Sequence, residues 1–235
     1  MLSATPAESA AVNTAMVPTP KIENDFYDWH ARHEEKVTLA RRRNHDMVFI
    51  GDSITHLFEG DPNLPGRGED IWRKYYGDRA LNLGFGWDRT QNVLWRLEHG
   101  EMAGQTPRLI VLLIGTNNLS ATANARANTP PEIAQAISLI VDQLKELSPA
   151  SRILVLGLLP RGAVQDQFRL EITQVNSLVK SAVSKQKRTD FLDFGSAFLA
   201  SDGTIPVSLM EDGVHPTTAG YRLWADAIAP FVPEV

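Results

Sequence analysis

Short, mostly apolar runs alternate along this chain with longer stretches in which apolar positions recur every three or four residues. The short runs are Met47-Val48-Phe49-Ile50, which follows Asp46 and closes on Gly51; Ala80-Leu81-Asn82-Leu83; residues 109–114; residues 152–156; and Phe191-Leu192. Their lengths are those of strands. Residues 109–114 are apolar at every position. Both faces of that strand must therefore be covered, as in a parallel sheet flanked by helices. Between the runs lie helical patterns. Residues 24–43 read as a helix with Phe26, Trp29, His33 and Val37 near one face. Ile54, Leu57 and Phe58 suggest a short helix after Gly51. Residues 90–99 turn Val93, Leu94 and Leu97 inward. Thr129-Pro130-Pro131-Glu132 is a capping box with prolines just inside it. The helix it opens places Ile133, Ile137, Ile140, Leu144 and Leu147 at helical spacing. Residues 165–184 and 217–231 complete the set.

Strands alternating with helices predict the α/β class, a sandwich around a mostly parallel sheet. No repeat or second composition regime interrupts residues 24–235, which are expected to form one domain. Residues 1–20 are rich in Ala, Ser, Thr and Pro and show no packing pattern, so residues 1–23 are expected to be a flexible tail. They carry neither a charged n-region nor an apolar h-region and are not an intact signal peptide. The small residues of 1–10 fit the remnant of one. The expectation therefore leans toward an exported protein, periplasmic or secreted, with a cytoplasmic one as the alternative.

Composition narrows the function classes. Net charge is −5, and the densest basic cluster, Arg41-Arg42-Arg43, reads as the solvated end of a helix. Nucleic acid is not an expected partner. The chain has no cysteine, which excludes disulfides, thiolate metal sites and a thiol nucleophile. No apolar run approaches the roughly 18 residues of a membrane span. His30, His33 and Glu34 do not follow the zincin order His-Glu-x-x-His and read as a solvated helix face. No metal and no cofactor are expected. Gly84-Phe85-Gly86 lacks the third glycine of a dinucleotide site.

Three segments carry chemistry. Gly51-Asp52-Ser53 stands where a strand passes into a helix, the edge at which open α/β folds place their sites. Asp212-Gly213-Val214-His215 can curl so that the carboxylate accepts the imidazole Nδ1–H and leaves Nε2 as a base. Gly115-Thr116-Asn117-Asn118 follows the strongest strand, and an asparagine there can donate to a developing oxyanion. Each segment alone also fits a capped turn. Together they supply a nucleophile, a base with its orienting acid and an oxyanion donor, the parts that acyl transfer requires.

These blocks resemble those of the SGNH (GDSL-type) hydrolases: Gly51-Asp52-Ser53-Ile54, Gly115-Thr116-Asn117-Asn118 and Asp212-x-x-His215. Trp72, Asn82-Leu83-Gly84, Val93-Leu94-Trp95-Arg96-Leu97 and residues 155–162 extend the likeness to the branch that holds the platelet-activating-factor acetylhydrolase catalytic subunits and their bacterial relatives. The likeness spans residues 26–231. It implies a flavodoxin-like three-layer α/β/α fold and a metal-free serine esterase with a preference for short acyl groups, a carbohydrate O-deacetylase if exported. The alternative is a binding or assembly subunit that retains the fold without activity. The implied catalytic residues are Ser53, Asp212 and His215. The implied oxyanion donors are the N–H groups of Ser53 and Trp87 and the Asn117 side chain. The block that begins at Asn82 departs from the family pattern, because Trp87 stands where a glycine is usual. Gly86 and Trp87 are expected to touch substrate, with the indole limiting acyl length. The expected partner is a small-molecule or carbohydrate acyl ester, and a homodimer is an open expectation.

Overall fold

The computed structural model describes residues 12–61 and 66–234. Five strands form one parallel sheet: β1 (Met47–Gly51), β2 (Ala80–Gly84), β3 (Leu109–Leu113), β4 (Arg152–Leu156) and β5 (Thr189–Leu192), in the spatial order β2-β1-β3-β4-β5. The helices among the described residues are α1 (Trp29–Arg42), α2 (Ser53–Glu59), α3 (Glu69–Tyr75), α4 (Thr90–Glu98), α5 (Pro130–Leu147), α6 (Gln167–Val183) and α7 (Thr218–Ile228). Helices α4, α5 and α6 lie side by side, while α2, α3 and α7 form a second group. The result is the expected three-layer sandwich, in which β1, β2 and β3 are buried along their whole lengths.

The strand order places the site. From β1 the chain runs outward to β2, then crosses back to β3 on the other side of β1. The carboxyl ends of β1 and β3 therefore flank the topological switch point, where open α/β sheets leave a crevice. Entry into α2 is tight. A Cβ on Gly51 would stand 2.4 Å from the Leu113 carbonyl oxygen and 2.2 Å from Thr55 Oγ1. Glycine alone lets β1 turn into α2 at this spacing. Asp52 caps α2 by accepting the Ile54 N–H at 2.9 Å, which satisfies one of the helix's orphan donors.

Three expectations need correction, and one helix was not expected. Residues 1–11 of the expected tail lie outside the described residues, but residues 12–23 pack on the domain. Ala15 is fully buried, its carbonyl accepts Thr90 Oγ1 at 2.8 Å, and the Thr19 N–H donates to the Gln91 carbonyl at 3.1 Å. These anchors are polar and backbone-borne, so no hydrophobic period announces them. Helix α1 starts at Trp29 behind the Asp28 cap, which leaves Phe26 before the helix and largely exposed. Its buried face is Trp29, His33, Lys36 and Ala40, with Val37 half-buried. Leu147, expected inward, is exposed at the end of α5. Helix α3 has no counterpart in the hydrophobic pattern. It is too short for a period, although Glu69-Asp70 at its start and Arg73-Lys74 at its end match the helix dipole.

Candidate active site

Ser53 is the first residue of α2, so its backbone N–H has no helical carbonyl to reach. Its Oγ lies 2.9 Å from His215 Nε2. His215 Nδ1 faces Asp212 Oδ2 at 2.7 Å. The loop between those two residues is its own clamp. Asp212 Oδ1 accepts the N–H groups of Val214 at 3.0 Å and His215 at 2.7 Å, and Gly213 takes a left-handed φ of 72°. Arg67 braces the loop from outside, with Nη2 3.8 Å from Asp212 Oδ2. Partial burial pushes the Asp212 carboxyl up, but the backbone and imidazole hydrogen bonds outweigh it and hold the group below the usual range.

The other wall begins at the end of β2. Phe85-Gly86-Trp87-Asp88 is a turn closed by the Asp88 N–H on the Phe85 carbonyl at 3.2 Å. Trp87 sits at its third position with φ of 61°, the place where a type II turn prefers glycine. Holding a bulky residue there costs about 1–3 kcal/mol. The residue is 59% exposed and is no part of the core. Gly86 is buried, with its N–H on His56 Nδ1 at 3.3 Å and its carbonyl accepting Tyr27 Oη at 3.1 Å. Both its polar groups therefore have protein partners. Asn117 follows β3, and its Nδ2 donates to the Asp88 carbonyl at 3.0 Å. One amide hydrogen ties Asn117 to the Trp87 turn and the other remains for a ligand. Asn118 donates to Thr90, Gln91 and Asn128 and accepts the Thr90 N–H, all at 3.0 Å. It fastens the start of α4 to the loop after β3.

Beneath the turn lies a buried ion cluster that the hydrophobic pattern did not reveal. Arg96 is fully buried between Asp88, with Nε 2.8 Å from Oδ2, and Glu101. Asp88 Oδ1 also accepts Trp29 Nε1 at 2.7 Å. The guanidinium lies 4.1 Å from the centre of the Phe85 ring and 3.5 Å from the Gly51 carbonyl. Burial raises both carboxyls, and the shared guanidinium opposes that rise. Asp52, beside the serine, has no such cation bonded to it. Burial pushes its carboxyl up to about 7, and its Oδ2 has no hydrogen-bond partner.

The surface histidine reading needs one correction. His30 and Glu34 are exposed, but His33 is buried and stacked on Trp29. Burial, and then the charge of Arg96, push it down to about 4. No group of three or more metal-ligating side chains occurs among the described residues. None of their helices is long and apolar enough to cross a membrane.

A hydroxyl, imidazole and carboxylate in line at the carboxyl edge of a parallel sheet are the equipment of a serine hydrolase. The profile of the GDSL-like Lipase/Acylhydrolase family matches residues 49–223. Platelet-activating factor acetylhydrolase IB subunit alpha1 of Rattus norvegicus is 38% identical over 212 residues, covering 89% of this chain and 84% of that one. A GDSL-like lipase from Bacteroides thetaiotaomicron shares the fold with a TM-score of 0.66 at 17% identity, over 86% of this chain and 97% of the other. A catalytic mutant of an acetylxylan esterase from Geobacillus stearothermophilus does so with a TM-score of 0.61 at 20% identity, over 80% and 94%. The chain belongs to the GDSL-like lipase/acylhydrolase family and is a carboxylic ester hydrolase.

Proposed function

We propose that this hydrolase cleaves short-chain esters, acetyl esters foremost, through a covalent acyl-enzyme on Ser53. The observation that carries the proposal is the line from Asp212 through His215 to Ser53, with separations of 2.7 and 2.9 Å. His215 Nε2 takes the serine proton as Oγ attacks the ester carbonyl carbon. Asp212 holds Nδ1–H and stabilises the imidazolium. The N–H groups of Ser53 and Trp87, with Asn117 Nδ2, receive the carbonyl oxygen as it becomes an oxyanion. When the C–O bond breaks, His215 gives its proton to the leaving alcohol and the acyl group stays on Oγ. Water, deprotonated by the same imidazole, then releases the carboxylic acid.

The short-acyl reading is supported by the acetylhydrolase name of the 38% identical relative and by the bulk of Trp87 beside the oxyanion turn. Carbohydrate O-acetyl esters are the substrates it extends to. The test is pre-steady-state hydrolysis of p-nitrophenyl esters from C2 to C8. We expect a nitrophenol burst matching the enzyme concentration, an acetyl mass increment on Ser53, and faster turnover of acetyl than of octanoyl esters. A folded protein with no burst and no serine adduct would be a binding subunit on a hydrolase fold.

A further inference from the structure

A cavity of about 240 Å³ opens beside the oxyanion turn, lined by Trp87, Asn117, Arg89, Glu23, Asn24 and Thr122. That volume lies just below the usual range of about 300–1,000 Å³ for ligand sites; it suits one ring and not a lipid. Glu23 and Asn24 bring the N-terminal segment into this lining, and the contact is built before any ligand arrives. Thr122 Oγ1 donates to Glu23 Oε1 at 2.7 Å, and Asn92 Nδ2 donates to the Thr19 carbonyl at 2.9 Å.

We propose that this cavity is the subsite for a sugar ring in the alcohol portion of the substrate, with Trp87 as its platform and Glu23 and Asn24 as its hydroxyl readers. The proposal rests on the esterase reading above and names the substrate class for it. A pyranose has apolar C–H faces and a rim of hydroxyls. The exposed indole meets the first need. The carboxylate of Glu23 and the exposed amide of Asn24 meet the second. Burial raises the Glu23 carboxyl, but the Thr122 and backbone hydrogen bonds outweigh it and hold the group below its ordinary value, so it is an acceptor at neutral pH.

Other ligand chemistries fit worse. An alkyl acyl chain would cover the Glu23 carboxylate and the Asn24 amide and offer neither a hydrogen bond, at the desolvation cost of each group. An anionic headgroup would meet the charge of Glu23. The cation on the wall, Arg89, is bonded to the Arg126 and Ser120 carbonyls, and its charge is already offset by that of Glu23. A neutral polyol is what remains. The position also suits the chemistry, because a ring held against Trp87 and Asn117 carries its ester next to the oxyanion donors.

The test compares O-acetylated xylo-oligosaccharide with p-nitrophenyl acetate, in wild type and in Glu23→Gln and Asn24→Ala, each checked for an unchanged thermal midpoint. We expect the ratio of kcat/KM for the oligosaccharide to that for p-nitrophenyl acetate to fall about tenfold in the double variant, mostly through KM, as for two lost hydrogen bonds. In Ser53→Ala, unacetylated xylo-oligosaccharide should change tryptophan fluorescence, and Glu23→Gln should weaken that binding. A ratio that does not move overturns the subsite. So does a selective loss on an acetyl phospholipid instead, which would make the cavity a headgroup site. A wild type inert toward p-nitrophenyl acetate is a different failure, that of the esterase reading itself.

Discussion

Asp212 and Asp52 both stand near the Ser53 hydroxyl, in opposite surroundings. Asp212 lies on a surface loop with its side chain 44% exposed, and neighbouring N–H groups hold its carboxyl low. Asp52 is buried with one oxygen unpartnered, and its carboxyl is pushed up to about 7. The same division runs through the whole site. The proton-transfer side, with His215, is half-exposed and made by contacts three residues apart. The proposed oxyanion side rests on the buried cluster of Asp88, Arg96 and Glu101, brought together from both ends of α4. A base needs water and room to turn. A donor for a transient charge gains most when it is held rigidly before the charge forms.

Removing the nucleophile should have the largest effect. Ser53→Ala should lower kcat by roughly 10⁴–10⁶ and leave the urea midpoint within error. Activity within tenfold of wild type would remove Ser53 from the mechanism. The second variant strikes the buried side. Arg96→Met leaves two carboxylates facing one another in the interior, and breaking such a cluster costs about 3–5 kcal/mol. Chemical unfolding should show that loss, while His215→Ala shifts stability by less than about 1 kcal/mol. Equal effects would erase the distinction between the two sides.

Asn117→Ala comes next, with kcat down by roughly 10²–10³ and a smaller change in KM. An effect confined to KM would make Asn117 a substrate contact. The Asp52 contrast is tested by pH. Because burial raises this carboxyl, its proton favours the native state. That contribution is complete below about pH 4 and is lost as the pH rises through about 7. Asp52→Asn keeps the cap acceptor and removes the titration. Its unfolding free energy relative to wild type should therefore climb by a few kcal/mol between pH 4 and 8, and a flat difference would place Asp52 in an ordinary environment. The smallest effect belongs to Trp87→Gly. Relief of the left-handed φ should outweigh the added freedom of the unfolded chain, for a net gain of about 1 kcal/mol. Acetyl turnover should persist, because the backbone N–H persists. The preference for C2 over C8 esters should narrow if the indole limits acyl length.

What the sequence determined by itself is what physics encodes locally. Continuous apolar runs marked the buried parallel strands, because a strand covered on both faces has no polar side to alternate with. The Thr129 capping box and its prolines marked the start of α5 to the residue, since capping is satisfied within four positions. Asp212 and His215 were legible as a pair for the same reason, being three residues apart on a loop that closes on itself. Tertiary structure decided the rest. Arg96 reads in the sequence as one more charge on α4; it is buried because Asp88 and Glu101 meet it there, and hydrophobic periodicity does not register a charge that is buried by its partners. Residues 12–23 read as a tail because they bind through backbone and amide groups, which are present in every chain and become informative once Thr90, Gln91 and Asn92 stand opposite them. Trp87 was visible as a departure from glycine, but its left-handed backbone and outward indole exist because Asp88, on the next residue, is anchored in the ion cluster below.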